Sequence, residues 1–256
     1  MAKRVVASLG LLLALVMSAT VARAAEPHGP NAGTAVVASV IDFRTVGLVD
    51  GRVARLAGID LPPVTPPAVL DTAKEALAEL VLGRTVRLWF SGTRIDRYGR
   101  LVVLAYDERG QWLQGMLLAQ GLARVESTAD NRGLLLPMQE IEDVARAARL
   151  GIWSDPHFAV RSADEMGEYL NRYEIVEGRV RATDQVDGRV YLNFGPDWRT
   201  DFTVSVAPAD VRVFRRDGIN LLTFAGQRVR VRGWVRALNG PMMDVTHPEQ
   251  IQLLGP

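Results

Sequence analysis

The order of short strand patterns along this chain restricts what it can fold into. Within residues 35–106, strand-like alternation precedes a helix pattern over 69–81 and resumes after Gly83. Within residues 173–254, three strand patterns precede a short helical stretch near 219–224, and further strands follow. Strands in a meander, then a helix, then closing strands are typical of a small Greek-key barrel. The sequence therefore predicts a mainly β fold with helices (α+β), built as two OB-type barrels in succession.

Turn residues mark the ends of these elements. Asp50-Gly51 lies between two apolar runs and predicts a hairpin turn. Several prolines between 62 and 67 break the chain before the first helix. Two more helix patterns, over 113–120 and 138–150, complete the first half of the chain.

The first 24 residues have the pattern of a secretory signal peptide. Lys3 and Arg4 precede an apolar run over Val5–Met17, and small residues flank a cleavage point after Ala24. The run is shorter than the roughly 20 apolar residues that a spanning helix needs. We therefore expect an exported protein, periplasmic or secreted, without a membrane span after cleavage. The alternative is an uncleaved membrane anchor.

Charge and cysteine content exclude several classes of function. Cleavage after Ala24 would leave 27 basic residues against 29 acidic ones, so the mature chain exerts no global pull on nucleic acid and any anion site must be local. The absence of cysteine excludes disulfides, thiolate zinc sites and thiol nucleophiles.

Composition also suggests how the mature chain is divided. Residues 25–34 are polar and rich in Pro and Gly, which predicts a flexible lead-in. We expect a first domain over 35–155, a polar connector over 156–170 and a second, OB-like β domain over 171–256.

Five segments, in order, give the first half a resemblance to a known family. They are Val40–Thr45, Val53–Pro62, Asp96–Leu101, Gly121–Val125 and Ala148–Ser154. Together they resemble the thermonuclease, or staphylococcal-nuclease-like, family across roughly half of the mature chain. The resemblance implies an OB barrel with a calcium-dependent phosphodiesterase site on one face.

Some of the residues that this family uses are retained. The resemblance implies that its two site arginines correspond to Arg55 and Arg100, and that one calcium-binding carboxylate corresponds to Asp60. Arginine suits phosphate because its planar fork donates two parallel hydrogen bonds. The resemblance thus leaves Arg55 and Arg100 as candidates for phosphate binding or for residual catalysis. Tyr98, beside Arg100, is a candidate stacking platform for a base, or it packs on its own turn.

Two positions depart from the family pattern. The second metal carboxylate is replaced by Arg44, and the general-base glutamate is replaced by Pro63. A charge pair at about 4 Å is worth roughly 4 kcal/mol near a surface, so Arg44 would repel a divalent ion strongly. We predict that its guanidinium forms a direct ion pair with Asp60 where the metal would have been. Asp42 remains open as a replacement ligand, and Arg55 could instead pair with Asp60 or Asp42.

Three interpretations follow. The first is a binding module for single-stranded nucleic acid, another polyanion or an envelope protein partner, without calcium-dependent nuclease activity and without a required cofactor. The alternative is an active extracytoplasmic nuclease that hydrolyses DNA or RNA, for which Ca²⁺ would be needed and for which Asp42 or Asp50 could be recruited. The third is a purely structural envelope module.

The second half offers weaker candidates. The turn at Asn193–Trp198 exposes two aromatic side chains, as a ligand platform or as a hairpin anchored by its rings. Arg228, Arg230 and Arg232 alternate along one strand, as a solvated face or as a basic stripe that tracks a phosphate backbone. Asp244 and His247 form a weak metal signal because no third ligand accompanies them.

Overall fold

The protein is described by a computed structural model that covers residues 29–63 and 65–255. The predicted signal peptide lies outside the described residues. The chain divides into two compact units, with the boundary after Pro156. No helix in the described ranges is long and apolar enough to cross a lipid bilayer.

The first unit is built on a closed five-stranded barrel. Its strands are β1 (Asn31–Asp42), β2 (Thr45–Leu48), β3 (Val53–Leu56), β5 (Thr85–Ile95) and β6 (Leu101–Tyr106). They are hydrogen-bonded in the order β1-β2-β3-β6-β5 and closed between β5 and β1. Only β3 and β6 run parallel within this barrel, as the third and fifth strands of an OB fold do. A separate two-stranded sheet joins β4 (Ile59–Asp60) to β7 (Arg124–Val125).

Three α-helices pack on this barrel: α1 (Pro67–Val81), α2 (Leu113–Ala119) and α3 (Leu135–Ala147). Helix α1 begins with a proline at its first turn, where the missing N–H is not needed, and buries Ala73, Leu77 and Val81 along one face. These helices and the inner faces of the strands share one apolar core that includes the fully buried Trp112. The helix patterns predicted for this half are confirmed, with α3 beginning three residues earlier than expected.

The structure differs from the sequence analysis in two respects at the start of the first unit. Residues 31–34 of the predicted flexible lead-in belong to β1, where they pair with β5. Backbone hydrogen bonds hold this stretch regardless of its polar side chains. The sequence also missed β2, because a two-residue turn at Phe43-Arg44 leads into it directly from β1.

The second unit contains a larger sheet. Its strands are β8 (Arg161–Ser162), β9 (Arg172–Arg179), β10 (Ala182–Val186), β11 (Arg189–Asn193), β12 (Thr203–Val206), β13 (Arg228–Ala237), β14 (Pro241–Asp244) and β15 (Ile251–Leu254). The hydrogen-bonded order is β10-β11-β12-β14-β13-β9-β8, and β15 pairs with β13. One helix, α4 (Pro208–Arg216), lies between β12 and β13 in the sequence.

This order repeats the strand order of the first unit. Strands β9 and β10 are consecutive parts of one long segment, and the Val180 N–H donates to Gln227 while the next N–H, on Arg181, donates to Asn193. The segment therefore bonds β13 at one end and β11 at the other, and β12 runs parallel to β14. The order corresponds to the five strands of an OB fold.

The structure changes two details of the second half. Much of the predicted connector over 156–170 belongs to the second unit, since Ala163 and Met166 are buried in its core. The sequence placed its helical stretch near 219–224, where a 3-10 turn (Leu221–Phe224) lies, and missed α4. Helix α4 buries only Val211 and Phe214, so its apolar pattern is too sparse to stand out.

Candidate functional site

Arg44 lies in the turn between β1 and β2 of the first unit. The Asp42 carboxylate accepts a hydrogen bond from the Arg44 N–H at 2.8 Å, which fixes the turn, and the preceding Phe43 is buried. The Arg44 guanidinium lies over the Phe43 ring, 5.3 Å from its centre. The side chain is thus directed inward, and Asp42 serves the turn.

The ion pair predicted between Arg44 and Asp60 is confirmed. Arg44 Nη2 lies 3.0 Å from Asp60 Oδ1, and Nη1 donates to the Ile59 carbonyl at 2.8 Å. Asp60 Oδ1 also accepts from the Leu61 N–H at 2.8 Å. The guanidinium is therefore held by a side chain and by the backbone of the same short strand, β4.

Glu126 completes this group, and the sequence did not point to it. Its Oε2 accepts from Arg55 Nη2 at 2.7 Å and lies 3.4 Å from Arg44 Nη1. Glu126 follows β7, and its N–H donates to the Gly58 carbonyl at 2.9 Å, which brings it alongside β4. Arg55 thus pairs with Glu126, and not with Asp60 or Asp42. We call Arg44, Arg55, Asp60 and Glu126 the arginine–carboxylate cluster.

Burial shifts the pKa of two groups in this cluster, Glu126 and Arg44. It raises the pKa of the Glu126 carboxyl, and the guanidinium groups of Arg55 and Arg44 offset part of that rise. Burial also lowers the pKa of the Arg44 guanidinium, against the opposing effect of Asp60. Two positive and two negative groups balance within the cluster, so each carboxylate depends on an arginine for its counter-charge.

These residues do not fit a divalent cation. The Arg44 guanidinium contacts both carboxylates, Asp60 and Glu126, and an arginine keeps its proton in proteins. A calcium ion bound to the same oxygens would meet that charge at contact distance. Among residues 29–63 and 65–255, this cluster included, no three His, Asp or Glu side chains are grouped to hold a metal. Pro63, where the resemblance implies the general base, is exposed in a turn and offers no proton acceptor on its side chain.

Comparison with known families identifies the region that holds three of the four cluster residues, Arg55, Asp60 and Glu126. Residues 53–155 match the family described as staphylococcal nuclease homologue. The chain carries a staphylococcal nuclease homologue domain. The match begins at β3, so the β1–β2 turn with Arg44 lies before the matched range. No curated protein matches the chain.

In the nuclease-homologue domain, the β5–β6 connection presents the other predicted residues. Asp96 Oδ1 accepts from the N–H groups of Tyr98 and Arg100 at 2.9 and 3.0 Å, and its Oδ2 accepts from Arg100 Nε at 2.7 Å. Gly99 supplies the left-handed backbone conformation that the turn needs, at a φ of 77°. Asp96 therefore caps this turn, and Arg100 is paired with it.

Tyr98 is the aromatic residue of this turn, and 66% of its surface is exposed. The guanidinium carbons of Arg97 and Arg100 lie 4.8 and 5.1 Å from its ring centre. Arg97 Nη2 also donates to the tyrosine hydroxyl at 2.7 Å. Of the predicted site residues, Arg44, Arg55 and Asp60 come together in one cluster, whereas Tyr98 and Arg100 belong to the turn.

The cap at Asp96 gives a testable pH dependence. Partial burial raises the pKa of its carboxyl, but hydrogen bonds from Arg100 and Tyr98 outweigh this and lower the pKa below its ordinary value of 3.8. Because the folded-state pKa is depressed, the carboxylate stabilises the fold above about pH 4 and loses this effect as the pH falls. We expect Asp96→Asn to lower the free energy of unfolding by less than about 1 kcal/mol at neutral pH, because the pair is partly exposed. Urea unfolding across the acidic range should show the two chains converging; a constant difference would contradict this.

The charged candidates in the second unit are already engaged. Arg228 and Arg230 both pair with Glu177, at 3.6 and 2.7 Å, and Arg232 is buried, so the alternating arginines do not form an open basic stripe. Asp244 Oδ2 accepts from Arg236 Nε at 2.7 Å, so this carboxylate is held by an arginine.

Proposed function

We propose that this is an exported protein whose nuclease-homologue domain binds single-stranded nucleic acid without cutting it and without needing calcium. The observation that carries the proposal is the ion pair in which Arg44 fills the space between Asp60 and Glu126. This ion pair would prevent a divalent cation from binding at the position that the family uses for calcium, so the barrel could bind a ligand without hydrolysing it. An envelope protein is a further candidate partner, consistent with the predicted signal peptide.

Hydrolysis of a phosphodiester needs a charge that polarises the phosphate and a base that activates water. In this chain the first position holds Arg44, which is committed to two carboxylates, and the second holds Pro63. Arg55 is likewise committed to Glu126 at 2.7 Å. Recruitment of Asp42, as an active nuclease would require, conflicts with its hydrogen bond to the Arg44 N–H.

The end of β5 and the turn that follows it, residues 94–100, supply what single-stranded nucleic acid needs. This segment contains three arginines and one aspartate, so it is locally basic in a chain whose overall charge is near zero. It also exposes the Tyr98 ring, which can stack on a base while neighbouring guanidinium groups meet phosphates. Because the overall charge of the mature chain is near zero, an anion site requires a local group of basic residues such as this one.

The test is the affinity of the mature chain, from Ala25, for a fluorescent oligodeoxythymidylate. Stacking on an aromatic ring contributes about 1–3 kcal/mol per base, so Tyr98→Ala should weaken binding about tenfold or more, and rising salt should weaken it further. Val144→Ala removes an exposed apolar side chain elsewhere in the same unit and serves as the matched control.

Two results would contradict the proposal. If the natural chain and the Tyr98→Ala variant bound the oligonucleotide with equal affinity, the turn that contains Tyr98 would not be the binding site. An absence of measurable affinity at low salt would remove nucleic acid as the partner and leave the envelope protein as the candidate.

A further inference from the structure

The second unit contains a cavity that the proposed function does not use. Its volume is about 680 Å³, within the range of small-molecule sites. Strands β10, β11, β12 and β14 form its floor, and residues of the β10–β11 and β13–β14 turns border it. In OB folds this face and these turns are where oligonucleotides and oligosaccharides bind. We propose that this cavity binds a neutral oligosaccharide.

The walls of the cavity are aromatic and apolar. Trp198 has half of its surface exposed, and Tyr191 lies on the strand beside it in the lining. Val186 and Leu238 add exposed apolar surface at the rim. A flat ring of this kind packs against the C–H face of a pyranose, since Trp and Tyr combine large apolar area with little conformational freedom.

The floor carries hydrogen-bonding groups that are already oriented. Asn193 Nδ2 donates to Asp184 Oδ2 at 3.0 Å, and Asn193 Oδ1 accepts from Thr203 at 3.2 Å. Arg189 Nη1 donates to Ser205 Oγ at 2.8 Å. Donors and acceptors therefore alternate across the floor, as a ligand made of hydroxyl groups requires.

The charges distinguish a sugar from a nucleic acid. Arg236 makes a two-pronged contact with Asp244 at 2.7 and 3.0 Å, and Arg189 lies 4.0 Å from the same carboxylate. With Asp184 on the floor, two guanidinium groups face two carboxylates. A phosphate backbone would have to compete with Asp244 for both arginines, whereas a neutral ligand meets a balanced surface.

Isothermal titration of the mature chain with cellohexaose, chitohexaose and maltohexaose tests this assignment. We expect at least one of these sugars to bind, with an affinity that salt leaves unchanged because no ion pairs form. Trp198→Ala should weaken that binding about tenfold or more. Trp234→Ala is the matched control, because Trp234 is exposed to a similar extent on β13 but does not line the cavity.

Three outcomes would overturn the proposal. They are failure of all three sugars to bind, retention of full affinity in Trp198→Ala, and salt-sensitive binding of oligodeoxythymidylate that Trp198→Ala abolishes. The last would assign the cavity to nucleic acid. Tyr98→Ala should leave sugar binding unchanged, so failure of the nucleic-acid proposal and failure of this one are separable.

Discussion

Replacement of Arg44 with alanine is expected to lower the free energy of unfolding by about 2 kcal/mol. Without the guanidinium, Asp60 loses its ion-pair partner, Glu126 keeps only Arg55, and the Ile59 carbonyl loses a donor. Breaking a fully buried pair costs about 3–5 kcal/mol, and the effect is smaller here because both side chains retain some exposure.

The same variant should acquire a response to calcium. Removal of the positive charge leaves the carboxylates of Asp60 and Glu126 without the guanidinium that contacts both of them, and carboxylate oxygens are ligands that calcium prefers. Added calcium should therefore raise the melting temperature of Arg44→Ala and leave that of the natural chain unchanged.

Arg52→Ala is the matched control for this experiment. Arg52 also pairs with an aspartate, Asp50, in the same unit, but at an exposed hairpin. We expect its loss to change stability little and to confer no calcium response. A calcium-dependent shift in the natural chain, or none in Arg44→Ala, would contradict the role assigned to Arg44.

The second large effect is expected from restoring the two lost positions together. Arg44→Asp with Pro63→Glu supplies a carboxylate and a proton acceptor at the two substituted positions and leaves Asp60, Arg55 and Arg100 unchanged. A general base contributes about 10²–10⁴ in rate. The double variant should hydrolyse single-stranded DNA in calcium at least about 10² times faster than the natural chain, measured by release of short fragments.

Single and displaced variants show whether position matters. Arg44→Asp alone should respond to calcium without gaining hydrolysis, and Pro63→Glu alone should gain neither. Arg44→Asp with Pro66→Glu puts the new carboxylate at an exposed position three residues away and should remain inactive. If Arg44→Asp with Pro66→Glu hydrolysed DNA as fast as Arg44→Asp with Pro63→Glu, the position of the new carboxylate would not matter, which would contradict the role assigned to position 63.

The periodic elements of the first unit could be read from the sequence. Helix α1 buries residues at intervals of four and ends before a glycine, so its apolar face is visible without a structure. The pairing of Arg44 with Asp60 could be predicted because both fall at positions of a family whose site brings them together. The turn cap at Asp96 follows from a local hydrogen-bonding pattern.

Residues linked by long-range pairing could not be read in this way. Glu126 reaches Arg55 across 71 positions of sequence, and it does so only because β7 pairs with β4. Neither two-residue strand has enough length to show alternation. Strand β2 escaped prediction for a different reason: Thr45, Val46 and Leu48 are all buried, so its four residues do not alternate.

The cavity of the second unit depends on contacts of the same kind. The sequence marked Trp198 as one of two aromatics in a turn, with a platform and an anchored hairpin both open. Its exposed fraction and its place in the cavity lining favour the platform, whereas Phe194 packs against Phe202, 5.0 Å between ring centres. The sequence did not show that Asp244 neutralises the charge of Arg236, because the two residues are brought together only by the pairing of β13 with β14.

The most direct test of the role of Arg44 is hydrolysis of single-stranded DNA by the purified natural chain, from Ala25, in calcium and in chelator. We predict intact DNA in both conditions, together with binding of the same DNA in both. Cleavage in calcium that chelator stops would contradict the account, because a metal would then be held despite the arginine between Asp60 and Glu126.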